Sequence, residues 1–256
     1  GVLKTQTVLG GYNDDGKLVA ATAVQIANAL DAVYTSGEMD ADEATIGLTY
    51  VDGNVTSAVW APTAQNVVLN VFGSDKRLAA SYPMVEDTMT GVWSYTGAVA
   101  DLDRMFYRFA VTVYHPVSGE VHTFDVTDPY SVGLGVNGRF SQFVNLADAD
   151  LKPEGWDDDV APTITNPEDA IIYEGHVRDF SALDMSTSEA FRGKYMAFTE
   201  ADTAPTNHLK SLVEAGVTHF HVLPVNDIAT IEERPDRTVD MYDTVFDLCL
   251  LNRDAA

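Results

Sequence analysis

The sequence has almost no cysteine. Cys249 stands alone among 256 residues, so no internal disulfide forms. It lies in Leu248-Cys249-Leu250-Leu251. That apolar setting reads as a buried small hydrophobe, or half of a bridge to another chain, rather than a catalytic thiol. Basic residues are scarce too: 15 Lys and Arg face 39 Asp and Glu, a formal charge of −24. No basic surplus exists to neutralise phosphates, which excludes a nucleic-acid binder, and an anionic membrane surface repels the chain. No apolar run approaches the ~20 residues of a membrane helix. Gly1 is not followed by a basic and then an apolar stretch, so no signal peptide is expected in this chain.

What is present is a normal core complement, 46% hydrophobic, with acidity spread along the length. Such charge solvates a surface. The one acidic run, Asp157-Asp158-Asp159, lacks the glycine and the spacing of a calcium loop. Between residues 18 and 35, Val19, Ala23, Ile26, Leu30 and Val33 fall on one stripe, which predicts a helix ended by a left-handed Gly37. From about 44 to 146 the pattern becomes short alternating runs: Val55–Trp60, Val67–Phe72, Gly91–Thr96, Met105–Tyr114, Val121–Phe124 and Phe143–Leu146. In the longest, Met105, Tyr107, Phe109, Val111 and Val113 share a face. Turn signals separate the runs, at Asp52-Gly53-Asn54, Gly73-Ser74-Asp75, Thr90-Gly91 and Pro116-Val117-Ser118-Gly119. This predicts an antiparallel β-sandwich.

Residues 147–169 read as a connector, punctuated by Pro153, Pro162 and Pro167. Ala170-Ile171-Ile172-Tyr173 then reads as a strand buried on both faces. His208–Ala215 reads as a helix with Leu209, Leu212 and Val213 inward and Gly216 as its cap, and Val217–Val225 as a second buried strand. Strand, helix, strand is the start of a parallel α/β layer, and two strands can neither close such a sheet nor cover it.

Several motifs come in a fixed order. They are Val59-Trp60-Ala61-Pro62-Thr63-Ala64, Gly91-Val92-Trp93-Ser94, Val126-Thr127-Asp128-Pro129-Tyr130-Ser131 and Leu151-Lys152-Pro153-Glu154-Gly155-Trp156. Ile172-Tyr173-Glu174-Gly175-His176-Val177-Arg178-Asp179-Phe180-Ser181 follows, then Arg192-Gly193-Lys194-Tyr195 and Ala215-Gly216-Val217-Thr218-His219 running into Val222-Leu223-Pro224-Val225-Asn226-Asp227. The series closely resembles bacterial type I pullulanase, the α-1,6-debranching family of the α-amylase superfamily (glycoside hydrolase family 13). The resemblance spans nearly the whole chain. It implies a multidomain fold: a helical lead-in (1–43), an immunoglobulin-like antiparallel β-sandwich similar to carbohydrate-binding module family 48 (44–150), a linker (151–169), and the truncated start of a (β/α)8 catalytic barrel (170–256). Gly175 and Asn226 depart from relatives, which carry larger and aromatic residues there.

The resemblance further implies an extracellular or cell-surface parent that hydrolyses α-1,6 links in pullulan, starch or glycogen with retention. Its partners are α-glucan, held weakly by this segment, and the remainder of the barrel. No cofactor is implied for this chain; the parent has room for calcium. Retaining cleavage needs two carboxylates about 5 Å apart, on loops at the C-terminal ends of barrel strands. The family's motifs after strands three and four are absent here, so no catalytic residue transfers. The remaining alternatives are a pure α-glucan-binding module and a structural buttress.

Individual residues sharpen this. Trp93 and Tyr95 alternate onto one face and are the candidate sugar platform. Trp60 reads as core or domain-interface packing. Asp128-Pro129-Tyr130 suggests a sugar contact, but Asp128 and Tyr130 read better as fixing a strand exit against the barrel. Glu174, Arg178 and Asp179 suggest an acid/base pair, but an adjacent guanidinium depresses carboxylate pKa values, so an Arg–carboxylate network ordering the loop is the better reading. His219 and His221 share a strand face without a third metal ligand in view, and read as hydrogen-bonded core.

Overall fold

A computed structural model describes residues 2–38 and 40–226. The expectations for Asp227 and Cys249 lie outside the described residues. The chain divides into two units, one containing Gly1–Lys152 and the other Pro153–Asp227.

The first unit opens on a hairpin, β1 (Val8–Tyr12) and β2 (Leu18–Ala23), followed by α1 (Ala27–Tyr34). The helical stripe over 18–35, and with it a wholly helical lead-in, is therefore corrected. Asn13-Asp14-Asp15-Gly16 makes a tight turn. Asn13 Oδ1 accepts the Asp15 and Lys17 amides at 3.2 and 2.9 Å, and Gly16 takes φ +76°. That turn sends the chain back along β1 before a helix can nucleate, and Val19 stands 65% exposed. Gly37 does not take the left-handed conformation; α1 ends at Thr35, whose amide donates to the Asp31 carbonyl.

Two sheets follow and pack through one core. One runs β3 (Gly47–Val51), β4 (Asn54–Trp60), β8 (Val92–Ala98), β7 (Val85–Asp87), in the order 3-4-8-7. The other runs in the order 10-9-5-6 and comprises β5 (Ala64–Phe72), β6 (Leu78–Pro83), β9 (Phe106–His115) and β10 (Glu120–Val126). The short β11 (Ser141–Gln142) pairs with β9. The one-turn α2 (Val99–Leu102) leads into β9. The predicted sandwich is present. Asp52 and Gly53 take φ +48° and +75° in the two-residue loop between β3 and β4. Those are the values a type I′ hairpin requires. Val55, Val59, Val67, Leu69, Val71, Tyr107 and Phe109 alternate inward to form the core, with Phe143 and Leu102. Phe143–Leu146 is not a strand: Phe143 is fully buried, but the chain turns at Asn145, and Leu146 is 58% exposed. Strands β3, β6 and β7 escaped the sequence pattern because they are short or edge segments with mixed burial.

The second unit begins with irregular turns and then forms β12 (Ile172–Gly175), α3 (Val177–Ser181), α4 (Ala204–Glu214) and β13 (His219–Val222). β12 and β13 pair in parallel, Ile172 opposite His219. α4 starts four residues before the predicted His208, because Thr203 and Thr206 form a reciprocal capping box with Pro205 in the first turn. Gly216 ends it with φ +106°. The expectation that these strands are buried on both faces is not met: Ile171, Ile172 and Tyr173 are 53%, 62% and 38% exposed. Among the described residues the pair is covered only in part, where Tyr173 meets His208 of α4 and Phe220 meets Phe198. Val213, predicted inward, is 66% exposed for the same reason.

Candidate functional site

Trp93 sits in β8, opposite Val59 of β4, and only 6% of it is exposed. Its Nε1–H donates to the Ala61 carbonyl at 3.1 Å, and Lys4 Nζ lies 5.1 Å from the ring centroid. The sugar-platform expectation for Trp93 is thus corrected: the alternation that put it on a face with Tyr95 put it on the core face. Trp60 is half-buried, and its Nε1–H donates to the Thr90 carbonyl at 2.9 Å. Both indoles are packing residues with their one polar atom satisfied.

Tyr95 is half-buried and stacks on Tyr82, with centroids 4.4 Å apart and planes at 20°. Tyr82 comes from β6 of the other sheet, so the pair bridges the two layers. Burial, then the neighbouring Tyr82 and Asp101, push the Tyr95 hydroxyl above its ordinary pKa. Sequence reasoning missed Tyr82, because its partner is distant in the chain and no local motif joins them.

Asp128 is 3% exposed and carries the hydrogen bonds expected of a strand-exit anchor. The Tyr107 hydroxyl donates to its Oδ2 at 2.6 Å, the Tyr130 amide to its Oδ1 at 2.8 Å, and the Asp128 amide to Ser141 Oγ at 3.0 Å. Burial raises the Asp128 pKa, against the lowering effect of those two donors. Tyr130 is 38% exposed.

A groove of about 900 Å³ opens at the end of the sandwich, between the β3–β4 hairpin, the α2–β9 turn and the loop 145–150. Arg104 lies in it. Its Nη2 is 2.8 Å from Asp148 and 2.9 Å from Asp150, and its Nε is 3.6 Å from Asp103. Burial, then the charges of Asp103 and Asp148, push the Tyr50 hydroxyl up to about 12.

In the second unit, smaller cavities of about 260 and 330 Å³ lie at the C-terminal ends of β12 and β13. His176 lines both, Arg178 the first and Asp179 the second. Asp179 lies 4.0 Å from His176 Nδ1, and Glu174 lies 3.4 Å from His221 Nδ1. Each carboxylate thus has an imidazole neighbour. His219 and His221 are exposed, contrary to the expectation of core histidines, and His219 Nδ1 instead meets the Thr218 hydroxyl at 2.7 Å. Among the described residues, the acidic groups close enough together to share a cation are Asp40, Asp42 and Glu43, and not the Asp157–Asp159 run.

Residues 45–131 match the family described as Carbohydrate-binding module 48 (Isoamylase N-terminal domain). Across 255 residues the chain is 42% identical to the pullulanase of Klebsiella pneumoniae, covering 98% of this chain and 23% of that protein. It is 36% identical over 239 residues to pullulanase 1, chloroplastic, of Arabidopsis thaliana, covering 92% of this chain and 24% of that one. The crystal structure of Klebsiella pneumoniae pullulanase complexed with maltotriose superposes with a TM-score of 0.90 at 41% identity, covering 98% of this chain and 24% of that chain. The chain is a segment of the pullulanase family. It spans about a quarter of the length of the pullulanases it matches. The matched module falls within the β-sandwich, where the pullulanase motifs around Trp60, Trp93 and Asp128 serve packing and anchoring. No helix among the described residues is long and apolar enough to cross a membrane.

Proposed function

We propose that this chain is a non-catalytic portion of an α-1,6-glucan debranching enzyme. The sandwich faces α-glucan weakly, and residues 170–256 begin the catalytic (β/α)8 barrel. The observation that carries this is the 41% identity and 0.90 TM-score with a pullulanase along nearly the entire chain. The parallel β12–β13 pair with α4 between them fits a barrel's first β/α/β unit. Its exposed Ile171, Ile172 and Tyr173 fit contact with the remaining barrel strands and helices. The division into lead-in, sandwich, linker and barrel start stays a proposal, as does action outside the cell or at its surface.

In such an enzyme the whole protein cleaves α-1,6 links through paired carboxylates. Glu174 and Asp179 stand beside imidazoles on the open end of β12 and are assigned to ordering that end, with Arg178. With Trp93 withdrawn, affinity rests on polar contacts and the partly covered Tyr95, so it lies in the millimolar range, about −4 kcal/mol. Affinity electrophoresis through a pullulan gel tests the reading. Retardation in pullulan but not in dextran supports it. Equal migration in both reduces the sandwich to a buttress for the barrel.

A further inference from the structure

The groove beside Arg104 has features of a built site. Its lining comes from three separate segments of the first unit: the β3–β4 hairpin, the α2–β9 turn and the loop after β11. Arg104 is held at both ends. Its backbone takes φ +59°, a left-handed conformation that costs a non-glycine residue about 1–2 kcal/mol. Its amide donates to the Phe143 carbonyl at 2.9 Å, and its carbonyl accepts from Gln142 Nε2 at 3.0 Å. Its Nη2 bridges Asp148 and Asp150. A guanidinium fixed in this way loses little freedom when a ligand arrives.

Two polar atoms there lack protein partners. Arg104 Nη1 and the Tyr50 hydroxyl are shielded from bulk solvent and hydrogen-bonded to no protein group. Such groups cost free energy where they stay unpaired. The charge balance then selects the ligand. Asp52, Asp103, Asp148 and Asp150 outnumber the one arginine, so phosphorylated or carboxylated ligands are repelled. The guanidinium already occupies the position between Asp148 and Asp150 that a bound cation would take. A neutral polyhydroxylated ligand suits the remainder, because each hydroxyl both donates to a carboxylate and accepts from an N–H.

We infer that this groove binds a glucosyl unit of α-glucan, gripped by Asn54, Arg104, Asn145, Asp148 and Asp150 rather than by a stacked aromatic ring. The inference rests on the glucan-facing reading above and gives it a place. Tyr50 packs against the sandwich core and offers a wall rather than a platform. Recognition by hydrogen bonds in competition with water, without an exposed stacking ring in the groove, is consistent with millimolar affinity.

The test is an amide and side-chain NH2 chemical-shift titration of the full chain with maltotriose. Shifts should concentrate at Asn54, Asn145 and Asp150. Asp150→Ala should weaken binding about tenfold, the loss of one charge-assisted contact. Its melting temperature should not move, since that side chain is 68% exposed. Asn54→Ala should weaken binding in the same direction, and Asp75→Ala in the Gly73–Arg77 turn should leave it unchanged. Shifts centred on Tyr82 and Tyr95, with Asp150→Ala indistinguishable from the parent, overturn the groove while leaving the glucan reading intact. Retardation in pullulan gels without groove shifts has the same meaning. Absence of both shifts and retardation overturns the two together.

Discussion

Asp128 shows how one residue fastens the sandwich. It accepts from the Tyr107 hydroxyl and the Tyr130 amide in a buried setting, so Asp128→Ala leaves both donors unpaired. Leaving the buried Tyr107 hydroxyl and the part-buried Tyr130 amide unpaired costs about 2–4 kcal/mol together. Urea unfolding should show that loss, and a change below measurement error would contradict the anchoring role. Asp184 is the opposite kind of carboxylate. It accepts from the amides and hydroxyls of Ser186 and Thr187, which hold its pKa down at about 2. A depressed folded-state value contributes stability that is fully present above the unfolded value of 3.8 and fades as pH falls through about 2. A carbon-detected titration of the Asp184 carboxyl should place its midpoint near 2; a midpoint near 3.8 would show that the turn is not formed in solution. Single residues were legible in part. Asp-Pro-Tyr pointed to Asp128 as a strand-exit residue, and the structure gives that carboxylate the Tyr107 hydroxyl and the Tyr130 amide as donors. The Trp93 assignment failed, because alternation tells which residues share a face but not which face meets the core.

At the scale of elements, the turns carry the strongest constraints. Gly91 takes φ +69°, and a Cβ there would lie 2.7 Å from Pro62 Cβ. Gly91→Ala therefore combines left-handed strain with a backbone-borne clash, and should cost about 1–3 kcal/mol in thermal or chemical unfolding. An unchanged midpoint would mean that the β7–β8 turn repacks freely. The strands of the sandwich were legible wherever alternation ran for six residues or more, as in β9. Of the segment 18–35, the helix was legible over Ala27–Tyr34 but the strand Leu18–Ala23 was not. Its apolar spacing fits a helix, yet Asn13 and Gly16 close a turn that pairs Leu18–Ala23 with Val8–Tyr12. Local turn chemistry overrode periodicity there. The groove at Arg104 was illegible because its residues lie between positions 50 and 150, with no motif linking them.

For the whole molecule, the sandwich and the parallel pair differ in how much they bury. Val67, Leu69, Tyr107 and Phe109 are fully buried, whereas β12 and β13 leave large apolar side chains in solvent. Hydrogen exchange should be slow in β5 and β9 and fast in β12 and β13. Comparable protection in both units would contradict the account of β12–β13 as a sheet awaiting further strands. The proposed function gives this segment a glucan-facing module and the opening of the barrel without the reacting carboxylates. The most direct measurement is release of reducing ends from pullulan by the purified chain. No release above the blank is expected. Turnover that disappears in Glu174→Gln or Asp179→Asn would contradict that function, and would place the chemistry at the open end of β12.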